Sequence, residues 1–170
     1  SLYFVENGWT VINGKVLDYA PTDDYASVVI PKAVTQLDSV ITVFKSVENL
    51  AKCTSLSVQE GSTAFKIQNG ALVSADGTRL YYYIGGADTL SWNDVTTVTG
   101  YAFYNKITEE KTLSLPKLSS VGSYAFYGCS GLKTFDFGKI SEIPDYAFYG
   151  TGFTSLVLQQ SSIGKYAFAN

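Results

Sequence analysis

The chain has 170 residues, with 12 Lys and Arg against 15 Asp and Glu, a net charge of −3, and neither His nor Met. There is no basic surplus to neutralise phosphates, which argues against nucleic acid as a partner. The missing His removes imidazole triads, imidazole metal sites and the usual general base near neutral pH. No stretch is long and apolar enough for a membrane-spanning helix and no secretory leader opens the chain. Without Met, Ser1 is not a translation start, so the sequence reads as a trimmed piece. Thirteen Tyr, ten Phe and fifteen Gly favour sheet and turn over long helix.

In chain order, "WTVINGKVLDY" is two strand-like runs around Asn13-Gly14, a hairpin signal. Val28-Val-Ile30 reads as a first short strand. Val40, Val43, Phe44, Val47, Leu50 and Ala51 then follow helical spacing, with Asp38 or Ser39 as the cap. Leu56-Ser-Val58 reads as a second strand. "FKIQNGALVSADGTRLYYYIGG" carries Asn69-Gly70 and Asp76-Gly77, which predicts a meander of three strands over 65–84.

From residue 86 onward a period takes over. Tyr-Ala-Phe starts at Tyr101, Tyr124, Tyr146 and Tyr166, in steps of 23, 22 and 20 residues. Alternating strands go with it: Leu90-Ser-Trp92, Leu113-Ser-Leu115, Phe135-Asp-Phe137 and Leu156-Val-Leu158. An apolar residue stands three before each Tyr, at Val98, Val121, Ile143 and Ile163. Val121, Ala125 and Phe126 would all point inward from one helical turn. Such a unit cannot bury its apolar face alone, but it can against identical neighbours, with strands about 4.8 Å apart. Ala125 and Phe126 read as core; Tyr124 and Tyr127 either pack the convex side or expose their hydroxyl ends.

The word Leu132-x-x-Phe135-x-Phe137-x-x-Ile140-x-x-Ile143-x-x-Tyr-Ala-Phe148 resembles the BspA-like leucine-rich repeats. Leu115-Pro116 matches that family's Pro, Val121-Gly122 and Ile163-Gly164 its centre, and Tyr127-Gly-Cys129-Ser-Gly-Leu132 its Cys segment. The resemblance covers roughly residues 50–170 well and 9–49 more loosely. Asn105-Lys106-Ile107 and Gly150-Thr151-Gly152 depart from it by lacking the Cys, and bulges or looser turns are expected there. The expected fold is a leucine-rich-repeat solenoid: a right-handed stack of short parallel strands with helical-turn returns, inserted β-hairpin or meander segments and one N-terminal helix. It would be a single domain over 1–170. Within it, 1–49 form an irregular N-terminal part, 65–84 the inserted meander and 86–170 the regular repeats.

The outward residues of the strands form two columns. One holds Ser55, Thr89, Thr112, Thr134 and Ser155; the other holds Ser57, Ser91, Ser114, Asp136 and Val157. This neutral hydroxyl face suits hydrogen bonding to a peptide or glycan, and equally suits plain solvation of a strand. The candidate ligand-binding residues are therefore Thr89, Ser91, Thr112, Ser114, Thr134, Asp136, Ser155 and Val157. Alternation in Tyr81-Tyr82-Tyr83 turns Tyr82 away from its neighbours, so at least one of the three rings is expected to be partly exposed. Tyr82 is the candidate aromatic contact, against a packing role beneath the meander.

Cys53 and Cys129 fall three repeats apart, about 15 Å at the strand spacing. A disulfide needs Cα atoms within about 7 Å, so two buried thiols are expected. The carboxylate pairs Asp23-Asp24 and Glu109-Glu110 read as solvated turn charges rather than paired acids, and only a Ser–Lys arrangement near Ser161 and Lys165 would keep an enzyme in view. The resemblance implies a secreted or surface-attached, non-enzymatic bacterial binding or adhesion module without cofactors or metals. Its partners would be a host matrix protein, another cell-surface protein or a glycan. A structural spacer is the alternative, with self-association at the open C-terminal repeat where "SSIGKYAFAN" stops after a turn.

Overall fold

Asn-Gly pairs set the first register. In the computed structural model, which describes residues 2–170, β1 (Tyr3–Glu6), β2 (Trp9–Ile12) and β3 (Lys15–Tyr19) form an antiparallel sheet. Its two turns are Asn7-Gly8 and Asn13-Gly14, with positive φ at both central residues of each (51° and 85°, then 51° and 82°). That is the backbone a two-residue hairpin with right-handed strand twist demands. The Asn13-Gly14 hairpin was legible in the sequence; β1 and its Asn7-Gly8 turn add a strand to it.

β4 (Ser27–Ile30) pairs in parallel with β5 (Ser55–Val58), placing Val28 beside Leu56 and Ile30 beside Val58. The crossover between them holds two short helices, α1 (Ile41–Phe44) and α2 (Val47–Lys52), where the apolar spacing predicted one. Lys45 breaks the run with a left-handed φ of 69°. The break turns Val47 and Ala51 outward while Val43, Phe44 and Leu50 stay buried. The cap differs too: Ser46 Oγ accepts the Asn49 amide of α2 at 3.2 Å, whereas α1 has no side-chain cap on Val40. Ser39 Oγ accepts the Ile41 amide at the start of α1 at 3.3 Å and donates to Gly100 O at 2.8 Å, so tying this segment to the repeats.

β6 (Phe65–Gln68), β7 (Ala71–Ser74) and β8 (Arg79–Tyr83) form the antiparallel meander, with Asn69 and Gly70 at φ 49° and 74°. In the second turn Asp76 Oδ1 accepts from Ser74 Oγ (2.7 Å), Thr78 Oγ1 (2.7 Å) and the Thr78 amide (3.0 Å). These donors hold the Asp76 carboxyl down at about 2.

The remaining strands are two-residue rungs: β9 (Leu90–Ser91), β10 (Thr97–Val98), β11 (Leu113–Ser114), β12 (Ser120–Val121), β13 (Glu142–Ile143) and β14 (Ser162–Ile163). β9 pairs with β11, β8 leads through β10 to β12, and β13 pairs with β14, all in parallel. Phe135–Phe137 and Leu156–Leu158 were expected as strands and are not: no amide from Lys133 to Phe137 donates to another backbone carbonyl. Half-buried Phe135 and Phe137 hold that segment by their rings instead, packing on Phe126, Phe148, Phe153 and Phe168.

The ladder through β12 and β13 also stops, for a covalent reason. The residue after each rung returns its amide to the coil before it: Thr99 to Leu80 O, Gly122 to Val98 O and Gly164 to Ile143 O, at 3.0, 2.8 and 2.6 Å. The equivalent residue between β12 and β14 is Pro144, which has no N–H to give to Val121 O.

The returns are not helical. Tyr101, Tyr124, Tyr146 and Tyr166 all adopt left-handed φ, between 54° and 64°. Each begins a pair of tight turns, as in Tyr127 N to Tyr124 O at 3.3 Å. Intervening amides reach the next coil: Tyr101, Phe103 and Asn105 donate to Ser123, Ala125 and Tyr127, and the same set recurs one coil and two coils later. This turn ladder is continuous where the strand ladders are interrupted.

Two apolar clusters result. One is built on Leu80, Trp92, Phe103, Phe126, Leu132 and Phe148; the other on Trp9, Val28, Phe44, Leu50, Leu72 and Tyr82. β8 lies between them and feeds both.

Candidate functional site

The best-ordered part of the polar strand face is the β9–β11 pair. Leu90 sits beside Leu113 and Ser91 beside Ser114, with the leucines toward the core. Thr89, Thr112 and Ser114 are exposed and Ser91 is half-buried. The upstream edge of β9 is covered by the meander: Asn69 Nδ2 donates to Thr89 O (2.8 Å) and Ser91 O (3.2 Å), and Trp92 Nε1 to Gln68 O (3.0 Å). The long polar columns drawn from the sequence are thereby cut. Ser55 and Ser57 belong to the separate β4–β5 sheet, with the Asn69-Gly70 turn seated on the edge they would have needed.

Downstream, Thr134, Asp136, Ser155 and Val157 are all exposed, Val157 at 86%. They stand on extended segments rather than paired strands, and Asp136 spends one oxygen on its own turn, accepting the Gly138 amide at 2.9 Å. Hydroxyls near the meander therefore sit on a fixed ladder, and those farther along sit on chain held by aromatic packing.

Tyr82 is a correction. Its ring is 1% exposed, and Tyr81 and Tyr83 are buried at 5% and 6%. Two features override simple alternation. A bulge in the β7–β8 pairing, between Leu72 and Val73, sends Tyr81 and Tyr82 to one cluster while Leu80 and Tyr83 join the other. The segment also occupies the place of a Tyr-Ala-Phe turn: Tyr83 N donates to Ala102 O at 2.9 Å, as Phe103 N does to Ala125 O and Phe126 N to Ala147 O. Tyr81-Tyr82-Tyr83-Ile84 is thus the forerunner of Tyr101-Ala102-Phe103-Tyr104, and Tyr82 takes the buried alanine position.

Three aromatic rows run along the stack. Phe103, Phe126, Phe148 and Phe168 stack at 5.0, 5.2 and 5.5 Å. Tyr101, Tyr124 and Tyr146 stack at 4.9 and 4.8 Å, with Tyr166 tilted against Tyr146 at 5.3 Å, and Tyr104, Tyr127 and Tyr149 stack at 4.7 and 4.8 Å. The first three Phe are fully buried; every Tyr but Tyr166 is half-buried, with Tyr166 at 53%. Most ring faces are spent on one another. The Tyr pair at a spacing of three in the first three turns was the sequence signal for two adjacent rows.

The thiols are free and buried. Cys129 Sγ donates to Phe103 O at 3.1 Å, and burial pushes the thiol up to about 11. Burial also raises Cys53, opposed by the Lys106 charge. Neither is an activated nucleophile. The Asp23-Asp24 and Glu109-Glu110 carboxylates are exposed. Ser161 Oγ donates to Ser141 O at 2.9 Å, while the Lys165 ammonium lies over the Tyr166 ring, so that pair is not assembled. Among the described residues no group of three His, Cys, Asp or Glu is placed to hold a metal ion, and no helix is long and apolar enough to cross a membrane.

Among solved structures, the chain is similar to the pneumococcal vaccine antigen PcpA, at 24% identity over 84% of this chain with a TM-score of 0.64. It is also similar to a leucine-rich repeat protein from Eubacterium ventriosum, at 18% identity over 82% with a TM-score of 0.53. It spans 36% and 48% of those two chains. No curated protein matches it. The family described as "BspA type Leucine rich repeat region" matches in six copies over residues 89–170. That stretch begins where the meander ends, later than the sequence resemblance suggested. Residues 89–170 of this chain are BspA-type leucine-rich repeats.

Proposed function

We propose that this chain is a non-enzymatic binding module of an extracellular or cell-surface bacterial protein, with protein or glycan partners. The observation that carries the reading is the sidedness of the repeats. Leu90, Leu132 and Phe126 face a packed interior, while Thr112, Ser114, Thr134, Asp136 and Ser155 face solvent over successive coils. A broad face of short hydroxyls on a rigid stack is a recognition surface in which affinity is spread over several repeats. Binding to matrix proteins, cell-surface proteins and glycans on a surface plasmon resonance panel tests it. Thr112→Lys with Ser114→Lys should abolish the response of any binder without changing the melting temperature. A folded sample that binds nothing on the panel, or binding untouched by the double substitution, would overturn the reading.

A structural spacer or assembly role rests on a different observation: Leu156, Val157, Ile163 and Tyr166 are all exposed on the last described coil. Sedimentation velocity at rising concentration tests it. Association that Ile163→Asp removes supports assembly, and a monomer at every concentration rejects it.

A further inference from the structure

The groove between α2 and the first Tyr-Ala-Phe turn combines features that nothing in the strand face requires. Its volume is about 370 Å³, and its walls include Val47, Leu50, Ala51, Tyr82, Tyr104 and Lys106. Three of these supply an apolar wall. Tyr104 supplies an aromatic one: Tyr127 stacks on one face of its ring at 4.7 Å, and the groove reaches the ring from the α2 side. Upstream of Tyr104 the tyrosine row ends, because the equivalent residue of the preceding coil is Ile84.

Two polar groups at the groove are unspent. The Tyr82 side chain is 1% exposed, yet its hydroxyl has no hydrogen-bond partner among the described residues, and no buried side-chain oxygen is sealed away without a partner. The hydroxyl therefore keeps a trace of exposure, and the residue lines the groove. Lys106 is half-buried and its Nζ makes one hydrogen bond, to Ile84 O at 3.3 Å, while resting 4.9 Å from the centre of the Tyr82 ring. No carboxylate forms a salt bridge with it among the described residues. A half-buried ammonium with two free N–H donors beside an unpartnered phenol is an acceptor-seeking pair.

We propose that this groove binds a carboxylate with an apolar body of amino-acid size. The carboxylate would sit between Lys106 Nζ and Tyr82 Oη, and the body against Tyr104 and α2. The volume lies in the range of small-ligand sites, and the lining has their usual makeup, mostly apolar with a few convergent polar groups. Glu48 stands at the rim and its charge opposes an anion. It gives the proposal a signed control.

The test is a titration of the folded chain with N-acetyl-L-phenylalanine, followed by ¹H–¹⁵N spectra, beside the isosteric N-acetyl-L-phenylalaninamide. The acid should shift the amides of Ala51, Asn105 and Lys106, and the uncharged amide should bind about tenfold more weakly, as loss of one charge-assisted hydrogen bond requires. Tyr82→Phe should weaken the acid several-fold, Lys106→Met should abolish binding, Lys106→Arg should retain it and Glu48→Gln should tighten it. Melting curves of each variant separate lost binding from lost fold, and Glu48→Gln keeps the test alive if the Lys106 variants unfold. A tripeptide ending in the same residue distinguishes sources: tighter binding than the single residue assigns the groove to chain termini, and equal or weaker binding to small acids. Equal affinity for acid and amide, shifts confined to another face, or no response to either probe would overturn the proposal.

Discussion

The two halves of this chain solve the same packing problem by opposite means. Residues 2–84 use strands of four and five residues; apart from the parallel β4–β5 pair these are antiparallel, with register fixed locally at Asn7-Gly8, Asn13-Gly14 and Asn69-Gly70. Residues 89–170 have strands of only two residues and take their order from neighbouring coils through the turn ladder and the aromatic rows. In the first half each hairpin carries its own instructions, and a change at one turn reaches only what that turn touches. In the second, one coil means little without the next, and a change in one propagates to both neighbours. Pro144 shows how much the rows carry, since the strand ladder is broken there while the Phe126–Phe148 and Tyr124–Tyr146 stacks cross the gap at 5.2 and 4.8 Å.

The strongest way to break the contrast is Phe126→Ala. Phe126 is fully buried between Phe103 and Phe148, and its loss should cost about 3–5 kcal/mol in urea unfolding. The same change at Phe168, which is partly buried and stacked on one side, should cost less than half as much. A cost below about 1 kcal/mol at Phe126 would show that the rows do not hold the stack.

Asn69→Ala comes next, because Asn69 belongs to both halves. It holds a left-handed φ of 49° and its amide bridges to Thr89 O and Ser91 O. Alanine should cost about 2 kcal/mol from the lost hydrogen bonds and the strained backbone together. Asn69→Gly should recover the backbone part alone. Hydrogen exchange at β9 should quicken in both variants; unchanged exchange there would mean that the halves are joined elsewhere, as through Ser39 and Gly100.

Tyr124→Ala should cost about 1–2 kcal/mol, for two stacked partners at 4.9 and 4.8 Å. Tyr124→Gly should be the more stable of the two variants by about 1 kcal/mol, since φ at 61° suits glycine and strains alanine. In a helical turn the order would reverse, so the pair of variants reads the turn type directly by thermal melting.

What the sequence made legible follows the same division. Recurrence exposed the repeats, because a word seen four times averages out local ambiguity. Leu90, Leu113, Ala125 and Phe126 were placed on the core side correctly. The turn conformation was not legible, because Val121, Ala125 and Phe126 fit helical spacing whether or not Tyr124 is left-handed. The single helix failed at Lys45, a residue with no Gly or Pro to announce a break. Tyr82 misled for want of the bulge, which exists only once β7 and β8 pair. The groove at Lys106 was invisible, since it needs α2 and the first turn brought together across more than fifty residues of chain.

The smallest effect sharpens the contrast by pH. Asp76 closes the β7–β8 turn through three hydrogen bonds, and its carboxyl is held at about 2 against an ordinary 3.8. A depressed carboxyl pKa stabilises the fold above the unfolded value, and that contribution drains away as pH falls from 3.8 toward 2. Asp76→Asn removes the dependence, so the melting curves of the two proteins should differ slightly at pH 6 and converge only below pH 2. Because the carboxylate is exposed, the gap should be small and reduced further by salt. Hydrogen exchange should place it in the meander alone, at Ser74, Thr78 and Arg79, with the amides of Phe126 and Phe148 unmoved. Acid sensitivity of the Phe rows that tracked the Asp76 substitution would mean that the meander and the repeats unfold as one unit, and that their difference is one of construction only.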